Sequence, residues 1–392
     1  MSSLKTYKYL LYPTKKQVVR LQELLDLNRE LYNAAIQERR DAYRMAGRSI
    51  SYNQQAAQLP EIKEIREDVA GVFSQVLQET LRRVDKAFKA FFRRVKAGEK
   101  PGYPRYQGKN HYDSFTYPQS GFRLTHDNRL CLSKIGTIKV NLHREIAGTM
   151  KTCTIKREGE HWYVCFACFA CEVEQVKRLP YTDDAVGIDL GVMKLATLST
   201  GDVIENPKHY RKAEKKLATA QQSLARKKRG SNRRKKAAQR VAKIHRKIHN
   251  QRNDYLHKWS RWLVDTYEMI AFEDIKPANL SRAPKPKQDE NGNYLPNGAS
   301  AKAGLNKGIL DAGWSTFIAM CESKAASAGY TQVIKVDPKY SSQACSSCGQ
   351  VCKKTLDERW HSCDCGCELD RDHNAALNIL RLGRSHQVAQ VA

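Results

Sequence analysis

The chain predicts a mixed α/β protein, and three observations carry that expectation. Two short apolar segments, residues 184–190 and 269–275, read as buried strands. Each carries a carboxylate near its end: Asp189 in Ala-Val-Gly-Ile-Asp-Leu-Gly and Glu273 in Met-Ile-Ala-Phe-Glu-Asp-Ile. Between them lies a long basic stretch with helical character, and six cysteines crowd between Cys345 and Cys367 just ahead of a helix-like Ala-rich segment. Strand, hairpin, helix, strand, helix is the order of a layered α/β fold.

The elements follow in order. Residues 4–12 alternate as a strand, and Thr14-Lys-Lys-Gln17 supplies a capping-box start for a helix running towards Gly47. A second long helix is expected after Pro60; Leu77, Leu81, Val84, Phe88, Phe91 and Val95 step by four and three along one face, with Arg82, Arg83, Lys86, Arg93 and Arg94 elsewhere. Pro101-Gly-Tyr-Pro-Arg-Tyr106 breaks the helix, and residues 115–173 alternate between Gly punctuation as several antiparallel strands of a small β-domain. Cys165 and Cys168 fall inside it, where spacing i, i+3 in a strand sends the two sulfurs to opposite faces and argues against a shared metal. After residues 184–190, Gly191 ends the strand and residues 194–198 return as its hairpin partner. A basic helical hairpin turning at Gly230-Ser-Asn232 follows, then the strand at 269–275 and a surface loop over 284–304, rich in Pro, Gly and Asn. A helix (312–328), a strand (332–336), the cysteine cluster and a last helix (373–383) complete the chain.

A length of 392 residues allows two or three domains. Lys+Arg 68 against Asp+Glu 41 leaves a formal charge of +27, which repels itself unless a polyanion is the partner. Sixteen of those basic residues lie between Arg211 and Asn250, with Glu214 as the one acid among them. That stretch lacks the Trp or Phe face of an interfacial helix, so nucleic acid rather than a membrane is expected. No run of 18 apolar residues and no secretory leader pattern is present, so the expected location is the cytosol. Clustering of the cysteines favours metal over a disulfide framework.

Hydrolysing a phosphodiester requires an activated water and a neutralised leaving oxygen, which two divalent ions held by converging acids supply. Asp189 is flanked by apolar residues that cannot solvate it, so it demands a partner or a metal, and Glu273 repeats the argument on the second strand. Asp372, in Asp-Arg-Asp-His-Asn-Ala-Ala-Leu-Asn-Ile-Leu, opens a helix, where an acid also serves as a cap; Asp370 competes for either role. An RNase H-like fold would bring three such acids to one point.

Cys345-Ser-Ser-Cys348-Gly is one half of a zinc ribbon, and Cys363-Asp-Cys365-Gly-Cys367 is a second half with its usual two-residue gap shortened to one. Cys345, Cys348, Cys363 and Cys365 are the expected ligands of a structural Zn²⁺, with Cys352 and Cys367 as spare thiols.

Several of these motifs, together with Tyr-Leu-Leu-Tyr-Pro-Thr, Phe-Glu-Asp-Ile-Lys, Ala-Gly-Trp-Ser and Ser-Ser-Gln-Ala-Cys-Ser-Ser-Cys-Gly, span nearly the whole chain. It resembles the TnpB family, transposon-encoded RuvC-like nucleases related to the small type V CRISPR effectors. The resemblance implies catalytic acids at Asp189, Glu273 and Asp372 holding two Mg²⁺ ions, and a guide RNA from the transposon end that pairs with target DNA while the protein reads a short adjacent motif. Motif reading would fall on Tyr52, Gln78 and Thr116. Phosphates of the RNA and heteroduplex would be gripped by Arg226, Lys227, Lys228, Arg229, Arg233, Arg234, Lys235 and Lys236.

The implied organisation is a first wedge strand (1–12), a helical recognition domain (13–110), a barrel-like wedge β-domain (111–180), and a RuvC-like domain (181–340) with its basic hairpin at 209–265. A zinc ribbon (341–367) and a last RuvC segment (368–392) follow. One protein chain per ribonucleoprotein is expected. Competing readings are a nuclease-inactive RNA-guided repressor, which intact acids argue against, and a transposase or resolvase acting without RNA, for which no dimerisation heptads are visible.

Overall fold

The computed structural model describes residues 4–109, 111–169, 185–352 and 358–391, with side chains as far as His386. The chain forms two compact units, Met1–Val173 and Glu174–Ala392. Among the described residues no helix is long and apolar enough to cross a membrane.

The first unit opens with strand β1 (Leu4–Tyr12) and the 32-residue helix α1 (Lys15–Ala46). The capping box is formed as the sequence predicts: Gln17 N donates to Thr14 Oγ1 at 3.3 Å and Thr14 N to Gln17 Oε1 at 2.9 Å, and Gly47 closes the helix at φ +62°. The second long helix does not start after Pro60. Three short helices, α2 (Tyr52–Ala57), α3 (Leu59–Ile65) and α4 (Glu67–Ala70), precede the long α5 (Ser74–Lys96). Pro60 sits in the first turn of α3, where a missing N–H costs nothing, and the chain turns again at Arg66 and Gly71. Leu77, Leu81, Val84 and Phe88 of α5 are buried, whereas Val95 at its end is 49% exposed, so the apolar face outlasts the core. Thr80 Oγ1 donates to Asn28 Oδ1 at 2.7 Å and ties α5 to α1 through two buried polar groups.

Strands β2 (Ser114–Tyr117), β3 (Phe122–Leu124), β4 (Arg129–Leu132), β5 (Gly136–Asn141), β6 (Thr149–Glu158) and β7 (His161–Phe169) join β1 in one seven-stranded sheet, ordered β2-β6-β7-β1-β5-β4-β3. All its pairings are antiparallel. Along β7 the burial alternates residue by residue, which puts Cys168 in the core and Cys165 on the opposite face.

The second unit holds β8 (Ala185–Leu190), β9 (Lys194–Leu198), β10 (Val203–Glu205), α6 (His209–Ala225), α7 (Asn232–Thr266), β11 (Met269–Glu273) and α8 (Pro277–Leu280). It continues with β12 (Lys287–Gln288), β13 (Tyr294–Leu295), α9 (Ala299–Ala312), α10 (Trp314–Ala328), β14 (Gln332–Val336), β15 (Trp360–Ser362), β16 (Glu368–Asp370) and α11 (Arg371–Val391). Residue 184, where the sequence places the start of β8, lies outside the described residues. The expected 284–304 loop is instead a two-stranded turn, β12 with β13, followed by the first residues of α9. Gly304 and Gly308 disguise that helix in the sequence; at Gly308 a Cβ would come within 2.7 Å of Val192 Cγ1, so close packing explains it.

Five strands form a central sheet, β10-β9-β8-β11-β14, with β8, β11 and β14 parallel and β9 and β10 antiparallel. The period of two divides β11 cleanly: Ile270 and Phe272 pack into a core with Leu256 and Leu263 of α7 and Phe317 of α10, while Met269 and Ala271 pack with Ile379 of α11. Helices therefore cover both faces, as parallel strands require. On β8, Gly187 faces α11 so closely that an added Cβ would lie 2.1 Å from the Ala376 carbonyl and 2.5 Å from Leu380 N.

Candidate active site

Alternation also aims the acids. Asp189 lies two residues beyond Gly187, and Glu273 two beyond Ala271, so both side chains emerge on the sheet face covered by α11. The parallel register pairs Ile188 with Phe272, so the two acids follow on neighbouring strands at their carboxyl ends, the usual place for a site in an open α/β sheet. Asp372 stands in the first turn of α11. Asp370 is the residue that takes the capping role: its Oδ1 accepts from Asp372 N at 2.9 Å and from His373 N at 3.3 Å, and its other oxygen meets Lys194 Nζ at 3.4 Å. Burial opposes the Asp370 charge, but those backbone donors and Lys194 hold its carboxyl below the usual range. Asp372 is thereby released from capping.

Burial pushes the Asp189 carboxyl up to about 8, and the negative charges of Glu273 and Asp372 add to the effect while Arg371 opposes it. Glu273 is also raised by burial, partly offset by a hydrogen bond from Ser341 Oγ. Asp189 thus feels the charge of acids 84 and 183 residues further along the chain. An open cleft of about 1120 Å³ adjoins them, lined by Glu273, Trp314, Lys335, Asp337 and Arg371 among others. Trp314 is buried and donates its Nε1 hydrogen to the Gly191 carbonyl at 3.2 Å, bracing the end of β8. His373 is turned away, its Nε2 lying 3.2 Å from the Ser199 carbonyl. An oxygen-only donor set suits a hard divalent cation.

The four expected cysteines converge. Cys345, Cys348, Cys363 and Cys365 place their sulfurs within 4.8 Å of one another, with Cys345–Cys365 and Cys348–Cys363 both at 3.6 Å. A tetrahedral ion with Zn–S bonds of about 2.3 Å asks for sulfurs about 3.8 Å apart, so the cage fits zinc. The shortened second gap is absorbed by a turn in which Cys363 N donates to the Cys367 carbonyl at 3.1 Å and Gly366 takes φ +86°. Of the spare thiols, Cys367 joins a second group with Cys345 and buried His361, while Cys352 belongs to neither. Sequence reasoning passed over His361, whose one signal was its position two residues before Cys363.

Tyr52 begins α2, Gln78 lies on α5 and Thr116 on β2. Arg82 stacks over the Tyr52 ring at 5.5 Å and Arg83 donates to Thr116 Oγ1 at 2.9 Å, so all three sit about one stretch of α5. In the basic hairpin, α6 and α7 pack antiparallel around the turn, and most of the eight named cations are exposed. Arg234 is the exception in use: its Nη1 donates to the Leu224 and Lys227 carbonyls at 2.9 and 3.0 Å and closes the end of α6.

Comparison with known proteins adds three family models: OrfB_IS605, described as "Probable transposase", over residues 168–283, a Cas12f1-like TNB domain over 314–379, and a helix-turn-helix domain over 1–48. Across the described part of 1–48 the structure holds β1 and the single helix α1. A curated relative from Escherichia coli K12, named "Putative RNA-guided DNA endonuclease InsQ", is 32% identical across 98% of this chain and 94% of its own length. One from Streptomyces pristinaespiralis with the same description is 35% identical across 97% of this chain and 89% of its own. Among solved structures, "Structure of the mini-RNA-guided endonuclease CRISPR-Cas_phi3" aligns at 10% identity with a TM-score of 0.47, covering 97% of this chain and 92% of that one.

Proposed function

We infer the chemistry from one premise: the chain belongs to the TnpB family of RNA-guided DNA endonucleases. It cleaves DNA under the direction of a guide RNA, and the observation that supports these three acids as its centre is that Glu273 and Asp372 lie near enough to Asp189 for their charges to raise its carboxyl, with Glu273 lining an open cleft. Asp189 and Glu273, with Asp372 at the start of α11, would hold two Mg²⁺ ions, which when bound activate a water and neutralise the leaving oxygen. The chain's own part is to fix the acids on rigid strands, to cap α11 through Asp370 so that Asp372 stays available, and to place Arg371 on the cleft wall for the phosphate. The five-strand order supports an RNase H-like domain of the RuvC type in residues 181–340 and 368–392, with a structural zinc ribbon between.

In the same reading, residues 13–110 and the seven-stranded sheet are the recognition and wedge parts. Tyr52, Gln78 and Thr116 read a short DNA motif, and the hairpin grips phosphates of RNA and heteroduplex. The guide derives from the transposon end. Purifying the protein with its RNA, sequencing that RNA, and reprogramming its variable 3′ portion tests this: cleavage should follow the new guide. Random co-purified fragments, with cutting indifferent to the guide, would sink it in favour of an RNA-independent resolvase.

The raised carboxyl makes a second measurement decisive for the metal. Folded, metal-free protein keeps the Asp189 proton up to about pH 8, whereas an unfolded chain releases it near 3.8, so the folded state holds more protons between those values. Stability contributed by Asp189 therefore falls as pH rises through that window. Asp189 would have to give up that proton to hold Mg²⁺, so binding there should tighten with pH and the Tm gain on adding Mg²⁺ should be larger at pH 8.5 than at pH 6. Equal gains at both pH values would place the ion elsewhere.

A further inference from the structure

Both asparagines of the Asn-Ala-Ala-Leu-Asn segment are buried, Asn374 fully and Asn378 to within 2%. Four residues apart, they share one face of α11. Their partners lie between Ser341 and Ser346, where the chain leaving β14 enters the first zinc knuckle. Asn378 Nδ2 donates to the Ser341 carbonyl at 2.9 Å and to the Ala344 carbonyl at 2.7 Å. Asn374 Nδ2 also donates to the Ala344 carbonyl at 2.7 Å, and its Oδ1 accepts from Ser346 N at 2.9 Å. Cys345 is thus clamped between two anchored neighbours.

The other end of the clamped segment is Ser341, 6% exposed, whose hydroxyl donates to Glu273 Oε1. The Pro338 carbonyl at 3.1 Å is the competing acceptor, and one proton serves only one of them. Just before it, Tyr340 is held at φ +63°, uncommon for a bulky residue, so the chain enters the clamp through a constrained turn. A continuous path therefore runs from the thiolate cage, through backbone pinned to the helix that bears Asp372, to one oxygen of Glu273.

We propose that Ser341 is a positioning residue for Glu273, and that the zinc knuckle acts on the nuclease centre through it. The inference rests on the metal-bearing acids proposed above. A hydroxyl bond to one carboxylate oxygen fixes the rotation of the group and leaves the other oxygen directed outward for a cation. The clamp keeps that hydroxyl in place, and the zinc keeps the clamp in register. The ribbon is then a brace for the chemistry as well as a local fold.

Mn²⁺ titration of nucleic-acid-free protein, read by electron paramagnetic resonance, tests this without relying on cleavage. Ser341→Ala should weaken Mn²⁺ binding roughly tenfold, with zinc content and guide-RNA retention unchanged, and Ser341→Thr should restore it. Cys348→Ser, which loosens the knuckle from its exposed side, should weaken Mn²⁺ binding to a similar degree. Combining it with Ser341→Ala should add little, because both act through one path. Wild-type Mn²⁺ affinity in Ser341→Ala, no rescue by threonine, or additive losses in the double variant would each overturn the proposal. A wild-type protein that binds Mn²⁺ yet cuts no DNA would count against the nuclease reading while leaving this test intact.

Discussion

Asp189→Ala and Glu273→Gln each lower Mg²⁺-dependent DNA cleavage by about 10³-fold or more, because each removes an oxygen from a centre expected to contribute several kcal/mol to the transition state. Affinity for guide RNA and target stays close to wild type in both, since a pair of carboxylates contributes little to gripping a polyanion that the basic surfaces hold. The Gln variant is the sharper of the two: it keeps the size of Glu273 and can still accept from Ser341, so loss of cleavage reports the lost charge. Rate measurements across Mg²⁺ concentrations, beside filter binding, check the pair. Cleavage retained in both variants would remove the metal site from these residues.

The second large effect is on grip. Replacing Arg226, Lys228, Arg229, Arg233, Lys235 and Lys236 with Gln should weaken RNA binding by orders of magnitude at physiological salt. The log–log salt dependence should flatten by roughly one unit for each phosphate that is no longer neutralised. Arg234 is left in place because its guanidinium closes the end of α6, and changing it would confuse unfolding with a weaker hold on phosphate. An unchanged salt slope would mean that the hairpin faces solvent or protein instead of nucleic acid.

Both predictions draw on features already visible in the amino-acid order, and the reasons are physical. β8 and β11 are short, largely apolar runs with an acid near the end, so their type and the position of their acids could be read locally, although β11 stops at Glu273, two residues short of the expected end. The capping box of α1 and the turn of the basic hairpin were equally local. What could not be read depended on distant partners. The expected loop ran to Gly304 because nothing local shows that α9 begins at Ala299, or that Gly308 within it packs against the Val192 side chain. The single long helix expected after Pro60 breaks into pieces because Gly71 and the turn at Arg66 act together, which helical periodicity alone does not reveal. In the site, residue pattern alone left Asp370 and Asp372 as rivals; the family resemblance chose Asp372, and the backbone bonds of α11 make Asp370 the cap. Ser341 carried no signal at all, since a serine beside a zinc knuckle is indistinguishable from any turn residue until Glu273 is seen against it.

Gly187 carries the last consequence. With only a hydrogen on its α-carbon facing Ala376 and Leu380, strand and helix meet backbone to backbone, and the gap between Asp189 and Asp372 is set by peptide groups that cannot rotate out of the way. A methyl group there would need to push the helix back by about an ångström or more. That displacement would pull the two acids out of register without altering either of them, so the molecule's finest adjustment resides at the position with the least matter in it.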